Sequence, residues 1–466
     1  MVFTSHIFIF YFLPAVLLIY YLLPAKRNFF LLVASYIFYG WWNPWFVTLM
    51  FAATAINYFC GLVIARTPAG VPRRKTALII SVAASLSMLG FFKYFVFVQN
   101  NVNGILGIFG AAAFPVWQIT LPVGISFFIF QSMTYAIDVY RGEAPPARSF
   151  WDFACFVALF PQLIAGPILR YNTVAEQLVS REHRVDRFAR GVALFTLGFA
   201  KKILLANTLG QMADAAFAAQ APCVVDAWVG VTAYAFQIYF DFSGYSDMAV
   251  GLGRMFGFEF LKNFDAPYRS ESITEFWRRW HISLSTFLRD YLYIPLGGNR
   301  KGPRRTYIHL WIVMLLGGLW HGANWTFVAW GAYHGALLAF ERWHGKASVY
   351  AWLPRPGRML VTFVLVLFSW VLFRSPDIAS AFRYFAAMFG LAGPHGGSIL
   401  LGAELYTAGN LFVLGLSAVL ASQPKQAFEF SERITVPKAV LLIALIGVAL
   451  AVMFVQAFNP FLYFQF

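Results

Sequence analysis

Apolar stretches about as long as a bilayer is thick alternate along this chain with short polar punctuation, and the punctuation is rich in Lys and Arg. The first stretch, about Ile7 to Leu23, contains Pro14 and ends at Pro24-Ala25-Lys26-Arg27. Phe29 to Trp42 and Trp45 to Ala65 follow, joined by a Trp-rich turn suited to a membrane interface, and a basic loop with Arg66, Arg73, Arg74 and Lys75 comes next. A fourth span, about Ala77 to Val98, leads to a polar Gln99-Asn100-Asn101 loop. A fifth, about Leu121 to Tyr140, returns to Arg141 and Arg148. Phe150 to Leu169 is long enough to cross. Pro161 and Gly166-Pro167 interrupt it between two basic flanks, which reads better as a re-entrant segment than as a kinked crossing helix.

Gly191 to Leu209 carries Lys201 and Lys202. An outer loop with Asp214 and Asp226 separates it from a return span, Ala227 to about Ala249. That span holds Asp241, Ser243 and Asp247 in apolar surroundings. On an unbroken helix the two aspartates point to opposite sides; a break at Gly244 lets them converge, and pairing with arginines of the next segment is the alternative to a direct catalytic role. Residues 255 to 300 are too polar to cross and read as amphipathic interfacial helices. Ser272 and Glu275 form a capping-box pattern for a helix carrying FWRRWHISLS, with Trp277 and His281 on one side and Arg278 and Arg279 toward phosphates or carboxylates. The remaining spans are about Tyr307 to Asn324, Trp325 to Glu341, Met359 to Phe373, Ser398 to Ala421 and Ala439 to Phe458. Orienting loops by positive charge gives about twelve spans with both termini outside.

Composition agrees. Hydrophobic residues make up 60% and charged residues 12% of the 466 residues, which excludes a water-soluble globule. The net charge of +15 is spread over short loops rather than a soluble basic face, so it points to lipid and away from nucleic acid. Cys60, Cys155 and Cys223 suggest neither a disulfide framework nor a zinc site. The expected fold is therefore all-α and polytopic, one integral-membrane domain over 1–466, with no soluble domain.

Within it, residues 268 to 324 concentrate titratable groups in an apolar chain, where each is costly unless it has a partner or water. His281 lies on the interfacial segment, and His321 follows an expected break at Gly317-Gly318, so both can line one passage. A histidine can deprotonate a hydroxyl near neutral pH, as acyl transfer to an alcohol requires, and arginines can grip the phosphates of a coenzyme A carrier. The bland alternatives are a packed histidine, lipid-anchoring arginines and glycines that permit close helix approach. Metal binding by the two histidines lacks a suitably spaced third ligand.

The run ITEFWRRWHISLSTFLRDYLYIPLGGNR, followed forty residues after His281 by His321 in LLGGLWHGANW, resembles the membrane-bound O-acyltransferase family. LPVGISFFIFQSMTYAIDVYRG, LFPQLIAGPILR and YFDFSGYSDMAVGLG strengthen the likeness. It implies a ring of helices around a central tunnel, with His321 as general base and His281 as a supporting or donor-side group. Trp277, Arg278, Arg279, Asp241, Ser243, Asp247, Asp290 and Asn324 become donor-site or tunnel candidates. It further implies an inner-membrane enzyme moving acetyl from cytoplasmic acetyl-CoA, with no tightly bound cofactor, toward an exported polysaccharide such as alginate. Periplasmic acetyltransferase or acetylesterase-like partners would complete the transfer. The ending FLYFQF resembles an F-x-Y-x-x-F terminus in which Tyr463 relays the acyl group; an aromatic anchor is the alternative. Peptidoglycan, cellulose or another glycan can replace alginate as acceptor, and D-alanine can replace acetyl. A transporter of acyl or sugar carriers is the reading from a different class, and it calls for paired, matching broken helices that are not found here.

Overall fold

A computed structural model describes residues 1–220, 222–345, 348–391 and 399–456 together with Phe458 and Leu462. Among these residues the chain is helical and has no strand. Five helices are long and apolar enough to cross a membrane: Trp45–Arg66, Pro72–Ile108, Val185–Ala218, Arg355–Arg374 and Val436–Val455. Phe8–Leu22 and Ala408–Ala421 are shorter apolar helices. The chain is thus an all-α polytopic membrane protein. The count of twelve spans rests on charge alternation, whereas length and hydropathy alone select these five.

The fold divides into two compact units, residues 1–192 with 249–261, and residues 193–248 with 262–466. In the first, Asn57 of helix Trp45–Arg66 donates to Ser85 and Ser132 and accepts from Ser81 at 2.5 Å, so one buried amide ties three helices together. Pro72–Ile108 continues straight through the expected Gln99-Asn100-Asn101 loop. The polar side chains are accommodated because Asn101 bonds back to the carbonyl of Phe97, while Gln99 and Asn103 hold the backbone of the loop that follows at Pro115 and Phe114. The segment 150–169 is interrupted as expected. Helix Phe150–Ala158 ends in a buried irregular turn at Pro161, whose backbone is satisfied internally; the amide of Phe160, for instance, donates to Ser35 Oγ at 3.0 Å.

In the second unit, four expectations change. Val224–Met255 is one continuous helix, so Gly244 does not break it. Its role is contact: a Cβ at Gly244 would lie 2.7 Å from the Gly198 carbonyl, and one at Gly198 would lie 2.4 Å from the Gly244 carbonyl. Asp214, expected in a loop, sits in helix Asn207–Ala218 and pairs with Arg374 at 2.6 Å. The expected span Ser398 to Ala421 is two helices, Ile399–Leu405 and Ala408–Ala421. Finally, Pro303–His321 runs unbroken through Gly317-Gly318 and packs backbone to backbone on Trp325–Trp343. A Cβ at Gly318 would meet the carbonyl oxygen of Phe327 at 2.2 Å, and one at Gly331 would meet that of Met314 at 2.4 Å. These two helices carry most of the histidine cluster, so their separation sets its geometry.

Gly318→Ala should therefore cost about 1–3 kcal/mol through forced helix separation. Gly415→Ala, with nothing within 4 Å of the added carbon, should leave stability unchanged or slightly raised. Thermal unfolding of the detergent-solubilised variants checks the contrast, and equal midpoints would contradict the packing account.

Candidate functional site

The site begins with a backbone pairing. The amide of Asp265 donates to the carbonyl of Arg279 and the amide of Ile282 to that of Asn263, both at 2.9 Å. This pairing pulls the chain out of helix between Ile273–Arg279 and Ile282–Leu288, where a single helix was expected. His281 occupies the break with φ of 44°, a left-handed conformation costing a non-glycine residue about 1–2 kcal/mol. The surroundings must hold it there.

Asn263 does much of the holding. Its Oδ1 accepts the Ser283 amide at 3.0 Å and the Ser283 hydroxyl at 2.9 Å, and lies 3.3 Å from His281 Nδ1. An amide oxygen carries no hydrogen and can only accept from the imidazole, so Nδ1 carries the proton and Nε2 keeps its lone pair. Nε2 is buried without a hydrogen-bond partner among the described residues. His281 lies outside the membrane-crossing helices, and burial pushes its imidazole down to about 3, leaving it neutral at physiological pH.

A second support comes from Glu341, which is buried. Its carboxylate accepts the amides of Ile273 and Thr274 at 2.7 and 2.9 Å and the Thr274 hydroxyl at 2.7 Å. It caps the helix leading to His281, where the dipole favours an anion. Ser272 adds the expected cap, accepting the Glu275 amide at 3.0 Å; Glu275 reaches back to the amide of Glu271 rather than that of Ser272.

Aromatic rings join the histidines. The His281 ring lies 5.9 Å from Trp320, Trp320 lies 4.9 Å from His321, His321 lies 5.0 Å from Trp330, and Trp330 lies 4.9 Å from His334. Trp277 closes the series by donating its indole N–H to His334 Nδ1 at 3.3 Å. Both His281 and His321 are buried, with exposures of 0% and 5%. His334, Glu341 and Asn263 escaped the sequence reading. Histidine pairing at 281 and 321 drew attention away from His334, and a capping glutamate 68 residues downstream leaves no local signal.

The other expected residues are placed as follows. Ser243 is buried, its hydroxyl without a hydrogen-bond partner among the described residues, beside Phe242, whose ring lies 4.6 Å from His281. Asp241 and Asp247 do not converge, nor do they pair with arginines of the next segment. Asp241 pairs with Lys202 and Asp247 with Lys201, both at 2.7 Å. The amide of Leu462 also donates to Asp241, at 3.0 Å. Arg279 is held by Glu275 and Asp265, whereas Arg278 is exposed. Asp290 pairs with its neighbour Arg289. Asn324 caps helix Trp325–Trp343 through the Thr326 amide and donates to the Pro376 carbonyl. Tyr463 lies outside the described residues.

The family model of the membrane-bound O-acyltransferases matches residues 143–382, which contain this entire histidine and tryptophan series. The chain belongs to the membrane-bound O-acyltransferase family. It is accordingly an acyltransferase. It is 52% identical over 390 residues to the protein named Probable alginate O-acetylase AlgI of Azotobacter vinelandii, covering 84% of this chain and 78% of that one. It is 37% identical to the peptidoglycan O-acetyltransferase of Helicobacter pylori, covering 84% and 80%. The teichoic acid D-alanyltransferase of Bacillus subtilis is 26% identical, over 60% of this chain and 76% of that protein.

Two outcomes follow from this acyltransferase's geometry. Glu341→Ala leaves buried amides without an acceptor and should destabilise by about 1–3 kcal/mol, whereas Glu404→Ala at an exposed position should stay within about 0.5 kcal/mol. Thermal midpoints of the purified variants decide this. The depressed folded value of His281, about 3, means that the unfolded chain binds the extra proton first, near 6.5. Its contribution is fully favourable above about pH 6.5 and is lost as pH falls toward 3, at up to about 1.4 kcal/mol per pH unit. His281→Gln should flatten that acid limb of a stability-against-pH curve; an unchanged limb would show that the imidazole takes up protons in the fold.

Proposed function

We propose that this protein transfers acetyl from a cytoplasmic thioester, acetyl-CoA, toward hydroxyls of an exported polysaccharide such as alginate. His321 is the general base and His281 the supporting group, with the whole chain, 1–466, acting as one catalytic domain in the bacterial inner membrane. The observation that carries the reading is the pair of buried histidines on either side of Trp320 in an aromatic surround. The named relatives act on alginate, peptidoglycan and teichoic acid, so the likeness supports a surface glycan as acceptor. The extent of identity to the alginate O-acetylases favours acetyl over D-alanine.

Chemically the exchange is nearly balanced: the thioester C–S bond breaks, an ester C–O bond forms, and the hydroxyl proton goes to the base and then to the departing thiolate. A base and a dry, oriented setting are what the protein must supply. Arg278, exposed on the helix that leads to His281, is the candidate for thioester-carrier phosphates, with Trp277 and Ser243 as further donor-side candidates. Asp241 and Asp247, on the helix that carries Phe242, pair with Lys202 and Lys201. Periplasmic acetyltransferase or acetylesterase-like proteins receive the acetyl group, and Tyr463, on an outward C-terminus, is the relay. The positive-inside pattern supports outward placement of both termini.

In cells lacking the protein and complemented with variants, His321→Ala at normal membrane abundance should lower acetyl on the exported polysaccharide by at least about a hundredfold. Acetyl content at wild-type level would remove His321 from the chemistry. Wild-type acetylation after Tyr463→Phe would remove the relay.

A further inference from the structure

The first unit holds a cavity of about 800 Å³ that shares no residue with the histidine series. Lys26, Arg27, Arg148 and Arg181 line it, with Asp152 as its one carboxylate. That carboxylate is already engaged by Asn28 at 2.6 Å and by Ser149 at 2.7 Å. Among the described residues none of the four cations is paired with a carboxylate. Arg181 is held instead by neutral acceptors, Asn28 Oδ1 at 2.7 Å and the Gln177 carbonyl at 2.9 Å, and lies 4.2 Å over the Phe258 ring. Its Nε is buried with no hydrogen bond among the described residues. Arg27 donates to the Leu23 carbonyl at 3.1 Å and to His183 Nδ1 at 3.4 Å. Lys26 and Arg148 are exposed, and among the described residues their side chains make no polar contact.

Gathering four cations around one cavity is unfavourable unless something negative enters it. Neutral acceptors fix the two partly buried guanidiniums without consuming their charge, so they are oriented and left uncompensated. Planar guanidiniums next to a mobile lysine suit the several oxygens of a phosphate better than a lone carboxylate. Beside the cations, Trp151 is 51% exposed and meets Phe29 edge to face at 5.5 Å. Exposed aromatics beside basic residues are the composition of a headgroup-level surface. Lys26, Arg27, Arg148 and Arg181 also fall on the side that the charge pattern assigns to the cytoplasm.

We propose that this cavity binds a phosphate ester, either the headgroup of an anionic membrane lipid or a soluble phosphate compound. Lys26 and Arg148 supply the mobile charge and Arg27 and Arg181 the fixed charge. Full-length wild type and the double variant Lys26→Gln/Arg148→Gln, which breaks no internal contact, would be purified and reconstituted in phosphatidylcholine nanodiscs. Native mass spectrometry after adding phosphatidylglycerol reads the lipid arm, and thermal shift with inorganic phosphate reads the soluble arm. The expected result is phosphatidylglycerol retention by wild type and at least about tenfold weaker retention by the variant at an unchanged melting midpoint. Stabilisation of wild type but not the variant by phosphate, without lipid preference, would support the same chemistry from a soluble source. Equal behaviour of the two proteins in both arms would overturn the proposal.

Discussion

A membrane-class chain can hold an ionised side chain deep in its packed interior only where a partner comes with it. Lys202 and Asp241 show how this is done, with side chains 4% and 1% exposed and 2.7 Å apart. The pair is possible because Gly198 and Gly244 let helices Val185–Ala200 and Val224–Met255 touch at the backbone, and because the turn at Lys201–Ala206 is widened. Lys201 and Asp247 repeat the arrangement at the next position. Removing either member of the Lys202–Asp241 pair would leave a buried charge, which is far worse than never having had the pair. The helix carrying Phe242, and with it one wall around His281, therefore depends on these contacts.

The histidine itself is placed by backbone before side chains act. Two backbone hydrogen bonds between residues 263–265 and 279–282 break what sequence periodicity reads as one helix, and Asn263 then meets the consequences of that break. One oxygen serves the Ser283 amide, the Ser283 hydroxyl and the imidazole together. Glu341 secures the preceding helix from a distant part of the chain, so the strained conformation at His281 is supported from both sides.

Much of this was legible in the sequence, and the failures share a cause. The all-α membrane class, the interrupted segment around Pro161 and the Ser272 cap follow from local pattern. Gly244 and Gly317-Gly318 were read as helix breaks because glycine weakens a helix when seen alone. In the fold they are contact points, and only the opposing carbonyls of Gly198 and Phe327 reveal that. Asp241 and Asp247 were left to seek arginines nearby because their lysine partners lie some forty residues upstream. Asn263 and Glu341 act through tertiary hydrogen bonds that no spacing rule anticipates. The helical run through Gln99 to Asn101 was hidden because polar side chains that fold back on the backbone look like loop.

The environment of His281 also bears on the role proposed for it. A base whose conjugate acid sits at about 3 draws a hydroxyl proton with much less driving force than one near neutrality. With Nδ1–H committed to Asn263, the free Nε2 of His281 is suited to accepting a hydrogen bond, and so to orienting a hydroxyl, more than to removing its proton. His321 is the last residue of helix Pro303–His321 and is enclosed by Trp320, Trp330 and Phe373. Holding a hydroxyl in line is the supporting role proposed for His281, and a neutral, buried imidazole with one nitrogen fixed by Asn263 is suited to it.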